Sequence, residues 1–232
     1  MSDIEIPIIT VDGPSGTGKG TVCSYLVDWL DWNFLDSGAL YRVLALAAQN
    51  NNIKNDDEVA LANLAENLNV EFNVTGAGSL VDVVLNGEVV TDDIRTEEAG
   101  NAASLIAPIV AVRHGLLARQ KAFHKAPGLV ADGRDMGTVV FPKATLKVFL
   151  IASAEERAKR RLKQLKDKGI SANLRDLSAD IAERDERDST RVVSPLKPAE
   201  DAVIVDTSEL DINAVVAKIS ELVKERIPNL AK

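Results

Sequence analysis

Gly13-Pro14-Ser15-Gly16-Thr17-Gly18-Lys19-Gly20-Thr21 follows the apolar run Ile4 to Val11 and leads into a segment where Val22, Leu26, Trp29 and Leu30 fall at i, i+4, i+7 and i+8. The apolar run suits a parallel strand buried on both faces, and the stripe is one side of a helix. Between them the glycines let successive backbone N–H groups turn inward around a phosphate. The helix N-terminus adds positive potential, and Lys19 supplies a mobile cation for the β- and γ-phosphates. All nine residues from Gly13 to Thr21 are therefore candidates for holding a nucleotide. Gly20 stands where such loops usually carry Ser or Thr, and the hydroxyl moves to Thr21, which leaves direct Mg²⁺ ligation by Thr21 open. A glycine-rich turn with no nucleotide is the competing reading, and the full strand–loop–helix context weighs against it.

Four further segments repeat the strand pattern: Asn33 to Asp36, Leu129 to Asp132, Leu146 to Ile151 and Ala202 to Asp206, most of them separated by helical stretches. Strands alternating with helices imply parallel pairing, with right-handed crossovers covering the sheet on both sides. Ser153 and Glu156 predict a capping box for the helix after the fourth strand, and Gly169 lies near its end. The final helix carries Ile212, Val215, Val216, Ile219 and Val223 on one face. Val70 to Val74 and Leu80 to Leu85 break the rhythm with strand-like patterning, and Asn86-Gly87 is a strong hairpin signal, so about 70–93 reads as a small antiparallel insert. The expected fold class is α/β: a three-layer P-loop fold with a five-stranded parallel sheet, this insert and a helical lid. We divide the chain into a core of residues 1–36, 105–152 and 192–232, an acceptor-side region 37–104 and an arginine-rich lid 153–191.

Composition narrows the class of partner. With 232 residues the chain can bury a sizeable core, and 46% hydrophobic with 27% charged residues is ordinary globular usage. The net charge of -8 disfavours nucleic acid and anionic membranes as general partners, so an anionic ligand must meet a local basic site. Cys23, the single cysteine, suits core packing in a reducing compartment. Residues Met1 to Glu5 lack the basic start of a secretory signal, and no run is long and apolar enough for a membrane span. A cytoplasmic monomer is expected.

The local basic site is legible between Glu155 and Arg191, where 11 Lys and Arg face 9 acids, a balance of +2. Most of these belong to a solvated helix face. Arg184, Asp188 and Arg191 fall at i, i+4 and i+7 and share a face if the helix runs that far. A carboxylate flanked by two arginines stays ionised while both cations reach outward. A salt bridge with purely structural duty explains the same pattern. A phosphate acceptor is already anionic and needs no general base, so cationic groups suffice for its chemistry.

Asp36-Ser37-Gly38-Ala39-Leu40-Tyr41-Arg42, the segment Asp132-Gly133-Arg134-Asp135-Met136-Gly137-Thr138, and Glu183-Arg184-Asp185-Glu186-Arg187-Asp188 resemble the signature segments of the bacterial cytidylate kinases, and Asn101-Ala102-Ala103-Ser104 and Arg113 fit the same family. The likeness spans nearly the whole chain. It implies transfer of the γ-phosphoryl of ATP to CMP or dCMP, with Mg²⁺ as cofactor. By that resemblance Ser37, Ser104, Arg113, Asp188 and Arg191 surround the pyrimidine and ribose, while Arg42, Arg134 and Arg184 bind the acceptor and transferring phosphates. Lys19, Arg134 and Arg184 are then the catalytic cations, and Arg157 joins the ATP side. Tyr41 either lines the acceptor cleft or packs behind Arg42. Asp135 either pairs with Arg134 or reaches the ribose. Asp132, ending an apolar strand, is the candidate to hold a Mg²⁺ water. His114 and His124 read as surface residues on a helical stretch.

Two rival readings are weaker. A shikimate- or gluconate-type kinase calls for a second acid shortly after Asp36, where Ser37-Gly38 stand instead. A non-enzymatic nucleotide switch has no use for a second, arginine-built anion site.

Overall fold

The computed structural model describes residues 6–73, 82–167 and 169–228. Along the chain run β1 (Ile8–Asp12), α1 (Lys19–Leu30), β2 (Asn33–Asp36), α2 (Ser37–Asn50), α3 (Glu58–Glu66), β3 (Val70–Asn73), β4 (Asp82–Leu85) and β5 (Glu88–Val89). Then follow α4 (Glu97–Ile106), α5 (Val110–Lys121), β6 (Leu129–Gly133), β7 (Leu146–Ile151), α6 (Ala154–Asp167), α7 (Leu174–Thr190), β8 (Val203–Asp206) and α8 (Ile212–Arg226). A five-stranded sheet has the order β2-β6-β1-β7-β8, parallel throughout.

Alternate residues of its central strands feed two different cores. Ile9, Val11 and Val130 join Val22, Leu26, Val215 and Ile219 from α1 and α8. Ile8, Leu129 and Ala131 join Leu40, Met136 and Phe141. Both faces are therefore covered, which is why β1 reads as an unbroken apolar run rather than an alternating one. A third cluster, with Leu44, Leu61, Ile106 and Leu116, unites α2 to α5 beside the main sheet.

The small sheet β3-β4-β5 is antiparallel. Asn86 and Gly87 both adopt positive φ, 52° and 89°, the conformation a tight two-residue hairpin demands, and they join β4 to β5. Val74, Leu80 and Val81 of the expected strands lie outside the described residues, as do Ile4 and Glu5 of the first. Among the described residues pairing of β1 begins at Ile8, with Ile6 and Pro7 before it unpaired as strand. Pro7 has no N–H to give a neighbouring strand.

Two local expectations need correction. The capping box of α6 forms by halves: Ser153 Oγ accepts from Glu156 N at 3.2 Å, but Ser153 N donates to Ser208 Oγ and Glu156 is drawn to Arg160. Gly169, at φ 73°, does close that helix, with Gly169 N bonded to Lys166 O and Ile170 N to Leu165 O, the double bond of a Schellman turn. His124 lies beyond the end of α5 and is half-buried, its Nε2 2.9 Å from Ile6 O and its ring edge-on to Phe141. His114 is exposed, as expected. Cys23 is fully buried.

Trp32 covers Gly128 so closely that a Cβ there would stand 2.3 Å from the indole. Gly128→Ala is expected to lower stability by about 1–3 kcal/mol through overpacking. Adding Trp32→Leu should recover part of that loss, read as the midpoint of urea unfolding.

Candidate active site

The phosphate loop starts where β1 ends. Gly13, Gly16 and Gly18 all have positive φ, and a Cβ at Gly13 would sit 2.2 Å from Leu150 O, so the loop can trace this path only with glycine there. Lys19 folds back over the loop: its Nζ donates to Pro14 O at 2.7 Å, and Thr17 Oγ1 donates to the same oxygen at 3.1 Å. Burial pushes the Lys19 ammonium down to about 8, and the Arg134 guanidinium adds to the shift, while Asp132 opposes it. Asp132, at the end of β6, is pushed up to about 6 by burial against the pull of Lys19. A Cβ on Gly20 would lie 3.9 Å from Asp132 Oδ2, so the missing side chain leaves room beside the acid.

From the loop a single cleft of about 660 Å³ runs to α2, α4 and α7. Ser15, Gly16, Gly18, Lys19, Gly20, Thr21 and Asp132 line it; Gly13, Pro14 and Thr17 form the loop behind. All ten acceptor-side candidates line the same cleft: Ser37, Tyr41, Arg42, Ser104, Arg113, Arg134, Asp135, Arg184, Asp188 and Arg191. Arg157 stands apart beneath the loop. It donates to Ser15 O at 3.1 Å, to Ala152 O at 3.1 Å and to both carboxylate oxygens of Asp185.

Asp188 organises the arginines. Its carboxylate takes Ser104 Oγ at 2.9 Å and Arg134 Nε at 3.2 Å, with Arg184 Nε 4.0 Å away. Burial alone would raise its pKa, but Arg134, Arg184, Ser104 and Arg191 together hold the group below the usual carboxylate range. Arg42 and Arg184 converge on Gly100, where a Cβ would lie 2.8 Å from one guanidinium and 3.5 Å from the other. Burial and the neighbouring Arg134 bring Arg184 down to about 10, and burial likewise lowers Arg42.

The helix behind the expected Arg184–Asp188–Arg191 face stops at Thr190, so Arg191 follows the last turn in extended backbone. It still reaches the group electrostatically. Asp135 pairs with Arg113 and not with Arg134. Tyr41 lines the cleft, and the guanidinium over its ring, at 6.0 Å, is that of Arg113 and not of Arg42.

Sequence reasoning missed two buried polar groups. Asp12, 5% exposed at the end of β1, accepts from Met136 N at 2.9 Å and Gly137 N at 2.8 Å, fixing the π-helical turn Met136–Val140 that follows Arg134 and Asp135. The signal that singled out Asp132, an acid ending an apolar strand, applies equally to Asp12. Gln120 lies on the buried stripe of α5 with Val112 and Leu116 and meets Ser37. Its signal was a polar residue at i+8 of an apolar stripe. Arg161, paired with Glu97 at 2.6 Å, also lines the cleft.

Residues 9–225 match the family described as cytidylate kinase. The chain belongs to that family. The cytidylate kinase of Nitrosococcus oceani is 57% identical over 215 residues, 93% of this chain and 95% of its own. That of Shewanella denitrificans is 55% identical over 221 residues, 95% and 97% of the two chains. An uncharacterized protein from Eubacterium ventriosum shares the fold at 11% identity, with TM-score 0.53 over 96% of this chain and 100% of that one. In this cytidylate kinase family member, no single helix among the described residues is long and apolar enough to cross a membrane. No group of three or more His, Cys, Asp or Glu among them forms a metal cluster.

Asp12→Ala is expected to destabilise the fold by about 3 kcal/mol, because two buried N–H groups lose their acceptor. Burial raises the Asp12 pKa to about 7 from its ordinary 3.8, with Asp135 and Asp132 adding to the shift. The folded state thus holds this proton to higher pH than the unfolded chain, so stability should fall as pH rises through that window. Urea titrations across the window should show a flatter dependence for Asp12→Asn.

Proposed function

We propose that the loop Gly13–Thr21 and the arginine-lined end of the cleft are the donor and acceptor sites of one phosphoryl transfer. The chain is a cytidylate kinase, an ATP-dependent nucleoside monophosphate kinase carrying the γ-phosphoryl of ATP to CMP or dCMP. The observation that carries this reading of the site is the opening of Lys19 and of the cluster Arg42, Arg134 and Arg184 onto one continuous cleft. A phosphate oxygen attacks without losing a proton, so the site has to supply positive charge and alignment rather than a base.

In this reading Lys19 leaves Pro14 O for the β- and γ-phosphates, and the loop amides hold the donor still. Arg134 and Arg184 neutralise charge on the transferring group, and Arg42 holds the acceptor phosphate. Planar guanidinium groups suit these bidentate contacts better than ammonium groups. Ser37, Ser104, Arg113, Asp135, Asp188 and Arg191 hold base and ribose, and Tyr41 supports Arg113. Arg157 serves the ATP side by fixing Ser15 of the loop. Mg²⁺ would accompany ATP and help neutralise the charge on the transferring phosphoryl group. Asp132 fits as the acid that holds one of its waters, since it faces the gap at Gly20 and a nearby cation favours its ionised form. Residues 153–191 act as a lid that closes over residues 37–104 and the core to exclude water. The protein works as a cytoplasmic monomer on small nucleotides, with neither nucleic acid nor membrane as partner.

ADP release should be fast with CMP or dCMP and near background with gluconate, shikimate or no acceptor. Equal ADP release without acceptor would reduce the protein to an ATPase. Lys19→Ala should keep its circular dichroism spectrum while kcat falls by about three orders of magnitude. Arg191→Ala should raise the CMP KM by at least about tenfold and leave the ATP KM within about twofold. Equal rises in both would move Arg191 to the donor side.

A further inference from the structure

Gln120 is 2% exposed and sits on the apolar stripe of α5. A primary amide offers two donors and an acceptor, and burying it without partners is costly, so packing alone does not account for it. Its Oε1 lies 3.2 Å from Ser37 Oγ, which is also buried. Near it is Tyr41, whose buried hydroxyl has no hydrogen-bond partner among the described residues. Burial pushes that phenol up to about 12, while the Arg113 guanidinium favours its ionised form. The amide oxygen is the atom turned to Ser37, so the hydroxyl donates and the amide accepts.

An amide oxygen can only accept. Ser37 must spend its one hydroxyl proton on Gln120, and what its oxygen has left to offer the cleft is lone pairs. We infer that Gln120 is a positioning residue that fixes the Ser37 hydroxyl as an acceptor, so that the site favours a pyrimidine with an amino group at position 4 over one with an oxo group. This rests on the reading of Ser37 as a group facing the base. Cytosine presents an N–H donor at that position and uracil a carbonyl oxygen. With the proton pinned to Gln120, uracil meets lone pair against lone pair.

The test compares kcat/KM for CMP and UMP in the wild type, Gln120→Met, Gln120→Glu, Ser37→Ala and the double variant Ser37→Ala/Gln120→Met, with thermal melting of each. Methionine keeps the volume and loses the acceptor, and should lower the CMP:UMP ratio about tenfold. Glutamate keeps an acceptor and should hold the ratio within about threefold. Ser37→Ala should lower it as Gln120→Met does, and the double variant no further. A Gln120→Met enzyme that loses the same factor on both nucleotides leaves Gln120 a packing residue and overturns the inference. A ratio that rises means the amide is reversed, which also overturns it. If Ser37→Ala leaves the ratio unchanged, the placement of Ser37 against the base fails first. Should Gln120→Met not fold, wild type decides with a pyrimidine monophosphate bearing hydrogen at position 4. The expected order is CMP, then this analogue, then UMP. An analogue no better than UMP shows a Ser37 free to donate and overturns the inference.

Discussion

Holding several guanidinium groups together inside a protein of net charge -8 is the constraint on which the rest of the site depends. Arg42, Arg134 and Arg184 repel one another, and burial weakens the solvent that would screen them. Asp188 makes their proximity tolerable by accepting from Arg134 and facing Arg184, while Ser104 takes up its other oxygen. One carboxylate does not neutralise three cations. The residual positive field is what an anion entering the cleft meets, and a phosphate relieves repulsion as it binds.

The parallel sheet explains why the phosphate loop and the arginine cluster end up side by side. Strands β2, β6 and β1 are adjacent and in register, so their carboxyl ends place Asp36, Asp132 and Gly133 beside Asp12 and the loop that follows it. What comes after each strand then forms part of one cleft, the usual consequence of an open α/β sheet. Asp12 adds a fixed connection across this edge, because its carboxylate holds the turn after Asp135 to the end of the central strand. Arg134 is thereby attached to the same strand that carries the phosphate loop.

Much of this was legible because the signals were local. Gly13 to Lys19 needs positive φ at set positions, Asn86-Gly87 encodes a hairpin, and the four later strands are short apolar runs with clear ends. The site residues carried a motif, and the structure brings all ten acceptor-side candidates into one cleft. Pairings between distant segments were not legible. Asp135 lies next to Arg134 in sequence yet turns to Arg113 on another helix, and Gln120 finds Ser37 across 83 positions. Glu156 had a local partner in Ser153, but Arg160, one turn on, outcompeted the backbone N–H for its charge. His124 looked exposed because its acceptor, Ile6 O, comes from the far end of the chain.

The same kind of long-range pairing ties α6 and α7 to the rest of the molecule. Arg157 on α6 holds Ser15 of the phosphate loop with one nitrogen and reaches Asp185 of α7 with the same end of its guanidinium. Arg161, one turn further along α6, pairs with Glu97 at the start of α4 on the acceptor side. One helix therefore contacts the phosphate loop, the helix carrying Arg184 and Asp188, and the start of α4. A lysine in place of Arg157 could satisfy one of these acceptors at a time, whereas the planar fork satisfies several at once. The position of Arg184 is thus set by the phosphate loop as well as by its own helix, so the donor and acceptor ends proposed for the cleft are linked through α6 and α7.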